Sequence, residues 1–196
     1  RATQFDKDVL IYLTSQLTEG INRNREDSLN RTIRFTVFDY LVTTKKQTGG
    51  KEYLRLEEAL KRLMGTMIQT NIVTGGTKVK EAFALIESWK IIERGEDERM
   101  MAVEVTVSKW LHNAILKKEI LTINPDYFSI RKPLSRRIYE LARKHVGRQT
   151  EWTIGLDLLR EKSGSKSSPK EFKRQLKIIA SEDLIPDYRI AIIEDK

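Results

Sequence analysis

Lys170, Lys173, Arg174 and Lys177 recur at i, i+3, i+4 and i+7 near the end of the chain. At 100° per residue, a helix lines these four cations along one side and places Phe172, Leu176 and Ile179 on nearly the opposite side. Ammonium groups in such a row suit phosphate oxygens, and an arginine fork also suits the O6 and N7 of guanine in a major groove. The chemistry expected is therefore binding of double-stranded DNA, with Arg174 at a base edge and the three lysines at phosphates. Lys166, Arg136 and Arg137 complete the candidate contacts in this part of the chain. An ordinary solvated helix face is the competing reading.

The helix that presents this row has a well-marked start. Ser168 is the expected N-cap, Pro169 the first helical residue, and Glu171 the third position of a capping box. Before it, Leu134 to His145 reads as a helix burying Leu134, Ile138, Leu141 and Ala142. Glu151 to Ile154 reads as a short strand, and Gly155 to Lys162 as a helix closed by Gly164.

Roughly 120 residues upstream the chain says nearly the same thing. Phe35-Thr36-Val37-Phe38-Asp39-Tyr40-Leu41 followed by Lys51-Glu52-Tyr53 is echoed by Trp152-Thr153-Ile154-Gly155-Leu156-Asp157-Leu158-Leu159 followed by Lys170-Glu171-Phe172. Each copy is preceded by a helix with an Ile-Tyr pair, Ile11-Tyr12 and Ile138-Tyr139. That separation exceeds the period of solenoid repeats, so a duplicated domain is expected. Helix, short strand, helix, helix and then strands is the order of a winged helix-turn-helix, which reads DNA. The expected fold class is α+β, with tandem winged helix-turn-helix domains over residues 1–117 and 133–196 and a connector over 118–132.

In the first copy, a helix from Asp6 to Glu19 is expected to bury Val9, Leu10, Leu13 and Leu17 and to end at Gly20. A strand over Arg31 to Phe35 leads into a helix capped by Thr36. Lys51 to Met64 forms a strong helix with Tyr53, Leu56, Leu60 and Leu63 inward. Strands follow over Met67 to Val73, Phe83 to Glu93 and Met101 to Val107, the last two turned by Gly95-Glu96-Asp97-Glu98. Ser108 caps a final helix with Trp110, Leu111 and Ile115, and Ala114 beside them, expected in the core. Lys51, Arg55 and Arg62 are the outward cations of the Lys51 to Met64 helix, and they join the candidate DNA contacts. That helix also carries acidic residues, so DNA and a protein interface are both open for it.

Charge is unevenly spread. The chain of 196 residues has a net charge of +8, yet residues 128–180 alone hold 14 Lys/Arg against 5 Asp/Glu. Residues 1–127 hold 20 against 18, and residues 181–196 hold 2 against 5. A polyanion would thus be held by the second copy. There is no Cys, which removes disulfides and thiolate zinc sites and fits a reducing interior. No apolar run approaches membrane-spanning length and the first residues lack the pattern of a signal peptide, so no membrane partner is expected.

Catalytic patterns are lacking. Thr74-Gly75-Gly76-Thr77-Lys78 does not have the spacing of a phosphate loop, and Ser163-Gly164-Ser165-Lys166 matches Ser-x-x-Lys without its partner motifs. His112 and His145 stand apart, His112 being expected at a helix surface. Trp89, Trp110 and Trp152 are expected in the core. The protein is therefore expected not to be an enzyme and to need no cofactor or metal.

Four stretches resemble the plasmid replication initiator protein A family of bacteria: Gly50 to Ile72 with Thr74-Gly75-Gly76, Val105 to Ile115, Leu121 to Phe128, and Arg136 to Gly147. The run Arg136-Arg137-Ile138-Tyr139-Glu140-Leu141-Ala142-Arg143-Lys144-His145 is the most specific. The resemblance implies a cytoplasmic initiator, associated with plasmid or nucleoid, that binds repeated origin sites and recruits host replication proteins such as a helicase or its loader. By analogy with tandem winged-helix initiators it also implies autorepression and a homodimer that dissociates. The strand expected over Tyr188 to Ile193 nearly reaches the last residue, so the second domain is expected to be truncated at its wing. A winged-helix transcriptional repressor and a protein-interaction module are the alternatives.

Overall fold

The computed structural model describes residues 2–24, 30–74, 77–94 and 99–193, with side chains described outside 70–80 and 94–101. The chain divides into two compact units, Arg1–Ile120 and Leu121–Lys196, and both helices and strands are present, as a mixed α and β fold requires.

The first unit runs α1 (Lys7–Asn22), β1 (Thr32–Phe35), α2 (Val37–Thr43), α3 (Gly50–Met64), β2 (Met67–Thr74), β3 (Thr77–Ala84), β4 (Ile86–Arg94), β5 (Arg99–Val107) and α4 (Lys109–Leu116). Val9, Leu13 and Leu17 form the buried stripe of α1. Gly20 does not end this helix but lies buried within its last turns. A glycine weakens a helix by only about 1 kcal/mol relative to alanine, less than the burial of the neighbouring apolar turns contributes. Thr36 caps α2 by accepting from the Asp39 amide at 3.1 Å. Tyr12 meets Phe35 and Tyr40 edge-on, with ring centroids 5.1 and 5.4 Å apart, so one tyrosine ties α1 to β1 and α2.

β1, β5 and β4 form an antiparallel sheet in that order, with Ile33 opposite Val105 and Phe35 opposite Val103. β2 and β3 form a separate two-stranded antiparallel sheet. The single strand expected over 83–93 is thus two. β3 ends at Ala84, paired with Met67, and β4 begins at Ile86, paired with Val107. Apolar periodicity marks both segments as strand but carries no information about a change of partner. The turn expected at 95–98 and the glycines at 75–76 lie outside the described residues. β4 and β5 pair as far as Arg94 opposite Arg99.

Ser108 caps α4, accepting from the Leu111 amide at 3.2 Å. Ala114 and Ile115 are buried and Leu111 packs against the core, as expected, but His112 also turns inward, while Trp110 is 42% exposed and stacked on Phe83 with centroids 5.1 Å apart. Eight residues bury only one narrow face, and α4 packs that face on α1.

The second unit contains a 3-10 helix at Pro125–Ser129, then α5 (Pro133–Val146), α6 (Leu156–Ser163) and α7 (Pro169–Glu182). Residues 121–132, most of the expected connector, belong to this unit and contribute buried Tyr127, Phe128 and Ile130. The Asn124 amide donates to the Tyr139 hydroxyl at 2.8 Å, and the Tyr127 hydroxyl donates to Glu140 at 2.7 Å. Ile138, Tyr139, Leu141, Ala142, Phe172, Leu176 and Ile179 complete the core. The strands expected over 151–154 and 188–193 do not form; among the described residues this unit has no strand. A short alternating segment needs a partner ladder to satisfy its backbone. Here the aromatics of those segments anchor loops instead: Trp152 stacks on His145 at 4.6 Å, and Tyr188 meets Tyr139 at 5.7 Å.

Candidate nucleic-acid interface

α7 is built by a strong local start. Ser168 Oγ accepts from the Glu171 amide at 3.3 Å, and Pro169, whose missing N–H costs nothing in the first turn, follows it. Phe172, Leu176 and Ile179 are buried, which fixes the rotation of the helix and turns Lys170, Arg174 and Lys177 to solvent. Lys166 is exposed in the preceding loop, and Lys173 is half-buried at the side of the row. The loop is held by Gly164, whose left-handed backbone (φ 71°) ends α6, and by Arg160, which donates to the Ser167 carbonyl at 3.2 Å.

Arg174 does not stand alone. Its Nε and Nη2 each donate at 2.7 Å to the two carboxylate oxygens of Glu171, and Gln175 Nε2 donates to Oε1 at 3.0 Å. These bonds, Arg174 first and Gln175 second, pull the Glu171 carboxyl down to about 2. Glu171 is therefore ionised throughout the neutral range. The sequence marked it as a capping residue, but its carboxylate is committed to Arg174. The i, i+3 spacing of opposite charges was the available signal.

Two of the upstream arginines are withdrawn from the contact set. Arg136 is only 2% exposed; its Nε donates to the Ile130 carbonyl at 2.8 Å and its Nη2 to the Phe128 carbonyl at 3.4 Å, with the guanidinium over the Tyr127 ring. A phosphate could reach it only by unpacking the start of this unit. Its position three residues before Tyr139 put it on the buried face of α5, a periodicity that the sequence did contain. Arg137 donates from Nε and Nη2 to the Lys162 carbonyl at 3.2 and 2.9 Å, and pairs with Glu140 at 3.2 Å. It closes the last turn of α6, where carbonyls lack helical partners.

In the first unit, Lys51 is exposed on α3, whereas Arg55 pairs with Glu52 and Arg62 clasps Asp6. Lys61 bridges Glu57 and Glu58 at 2.8 and 3.2 Å. The outer side of α3 is thus largely charge-compensated, and the long cationic row belongs to α7. His112, expected at a surface, is 7% exposed, and its Nε2 lacks a hydrogen-bond partner among the described residues. Among the described residues no three His, Asp or Glu side chains are grouped so as to hold a metal ion, and no helix is long and apolar enough to cross a membrane.

The mixed α and β fold in two units is shared with domains 2 and 3 of RctB. One crystal structure of those domains superposes with a TM-score of 0.65 at 11% identity, covering 90% of this chain and 68% of that one. A second gives 0.60 at 14% identity, covering 88% and 67%. At such identities the likeness is one of fold. Sequence carries the assignment further: the family model for Replication initiator protein A matches residues 1–190. A protein of Wigglesworthia glossinidia brevipalpis, provisionally named a replication protein, is 42% identical over 191 residues, which is 96% of this chain and 69% of the relative. The chain belongs to the replication initiator protein A family.

Proposed function

We propose that this family member initiates plasmid replication by binding double-stranded origin DNA through both units, a winged-helix first unit and the helices α5, α6 and α7 of the second, with α7 as the principal recognition helix. The observation that carries this reading is α7 itself, anchored by Phe172, Leu176 and Ile179 and presenting Lys170, Arg174 and Lys177 outward. Lys166, Lys170, Lys173 and Lys177 contact phosphates and Arg174 contacts a base edge. Lys51 of α3 adds a phosphate contact from the first unit. The charge surplus of residues 128–180 supports the same assignment, because counterion release scales with the phosphates neutralised. The chain acts without catalysis of its own and delivers the origin to host replication proteins. Family membership supports the replication context, and the RctB likeness supports the fold. The test is a gel shift at physiological salt with duplexes tiled across the origin of a plasmid that encodes this protein. One or more origin duplexes should be retained over equal-length competitors; equal binding to all duplexes would remove the sequence-specific reading. Supercoiled plasmid incubated with protein and magnesium should stay uncut.

A further inference from the structure

Glu171 is out of place in a surface made only for affinity. A carboxylate inside a row of cations repels the phosphates that the row attracts, so it lowers binding to every duplex. Yet it is held by three donated bonds, two from Arg174 and one from Gln175, on a helix start fixed by the Ser168 cap and the Pro169 ring. The two bonds from Arg174 use Nε and Nη2, which is the side-on edge of the guanidinium. The end-on edge, with one N–H of Nη1 and the second of Nη2, is left over. Those parallel donors match the O6 and N7 of guanine.

We infer that Glu171 is the positioning residue for base readout, holding Arg174 side-on so that its end-on fork is preset for one guanine. This rests on the DNA-reading function proposed above. An unrestrained arginine samples many rotamers and reaches any nearby phosphate or base acceptor. One clamped at its side-on edge offers a single fork from a fixed origin, and the ordering cost has been met within the helix before DNA arrives. Glu171 also lies close enough to penalise alternative contacts of the fork with bare phosphate. The clamp thus lowers general affinity and raises discrimination at one position.

The experiment uses the full chain and a duplex library with a randomised core, sequenced in bound and unbound fractions. Arg174→Ala should lower the preference for guanine at one position by about 5- to 150-fold, the range of a lost bidentate base contact. Glu171→Gln should lower it at the same position by about 2- to 12-fold, the cost of restoring freedom to one long side chain. It should also leave binding to random duplex equal or tighter. In an Arg174→Ala background, Glu171→Gln should change no base preference further. Two results overturn the inference while leaving DNA reading intact: Glu171→Gln keeps the guanine preference within about twofold of the parent, or it weakens preferences at all positions alike, as a loosened helix would. If the parent chain enriches no sequence at all, the DNA-reading function fails and this inference falls with it.

Discussion

Arg62, near the end of α3, clasps Asp6, just before α1, through Nε to Oδ2 at 2.9 Å and Nη2 to Oδ1 at 2.8 Å, across 56 residues of sequence. Asp6 also accepts the Thr3 amide at 2.7 Å. Burial pushes the Asp6 carboxyl upward, but the bonds from Arg62 and Thr3 outweigh it and leave the group below its ordinary value. A cation that helical spacing assigned to the DNA-facing side is therefore part of what fixes α1 against α3.

The sign of the pH dependence follows. Because the folded-state value of Asp6 is depressed, its stabilisation is complete above the unfolded value of about 3.9 and is lost as pH falls through the lower folded value. Denaturant midpoints measured from neutral pH downward should show this loss only in the acid range. Asp6→Asn should cost about 1–3 kcal/mol at neutral pH and flatten the acid limb of the first unit. An acid limb identical in parent and variant would exclude the clasp as a contributor.

Arg136 should matter for folding rather than for DNA affinity. Arg136→Ala strands the carbonyls of Ile130 and Phe128 and uncovers the Tyr127 ring, which should destabilise the second unit by about 2–4 kcal/mol. Hydrogen exchange of α5 amides reports this unit separately from the first. Unchanged α5 protection would refute the buried role.

Ser168→Ala removes the bond to the Glu171 amide and should cost about 1 kcal/mol in stability of α7, whereas Ser168→Asn should stay within a few tenths. Urea unfolding monitored in the second unit distinguishes the two. Equal stability of both variants would mean that Pro169 and the buried stripe suffice to start the helix.

Lys170→Ala and Lys177→Ala should each reduce the magnitude of the slope of log K against log salt by about one, without altering base preference. Anisotropy titrations between about 50 and 200 mM salt measure that slope. A changed base preference with an unchanged slope would reassign these lysines to base contacts.

The sequence by itself determined α7: its Ser168 cap, its Pro169 start, its apolar stripe and its cationic row are local features separated by at most a few turns. It also determined the order of three helices common to the two copies, in which Tyr12 and Tyr139, the matching residues of the two Ile-Tyr pairs, each sit in an aromatic cluster of their own unit. It did not determine the strands of the second copy, which do not form among the described residues. Tertiary structure decided which cations face solvent. Helical spacing gives the direction in which a side chain leaves the backbone, but an arginine is long enough to turn back to whatever acceptor folding brings near. Asp6 reaches Arg62 from 56 residues away, and the carbonyls of Ile130 and Lys162 reach Arg136 and Arg137 from outside their own turn of helix. The split between β3 and β4 has the same origin. Strand character is written in residue type, whereas the identity of the partner strand depends on where distant segments come to lie.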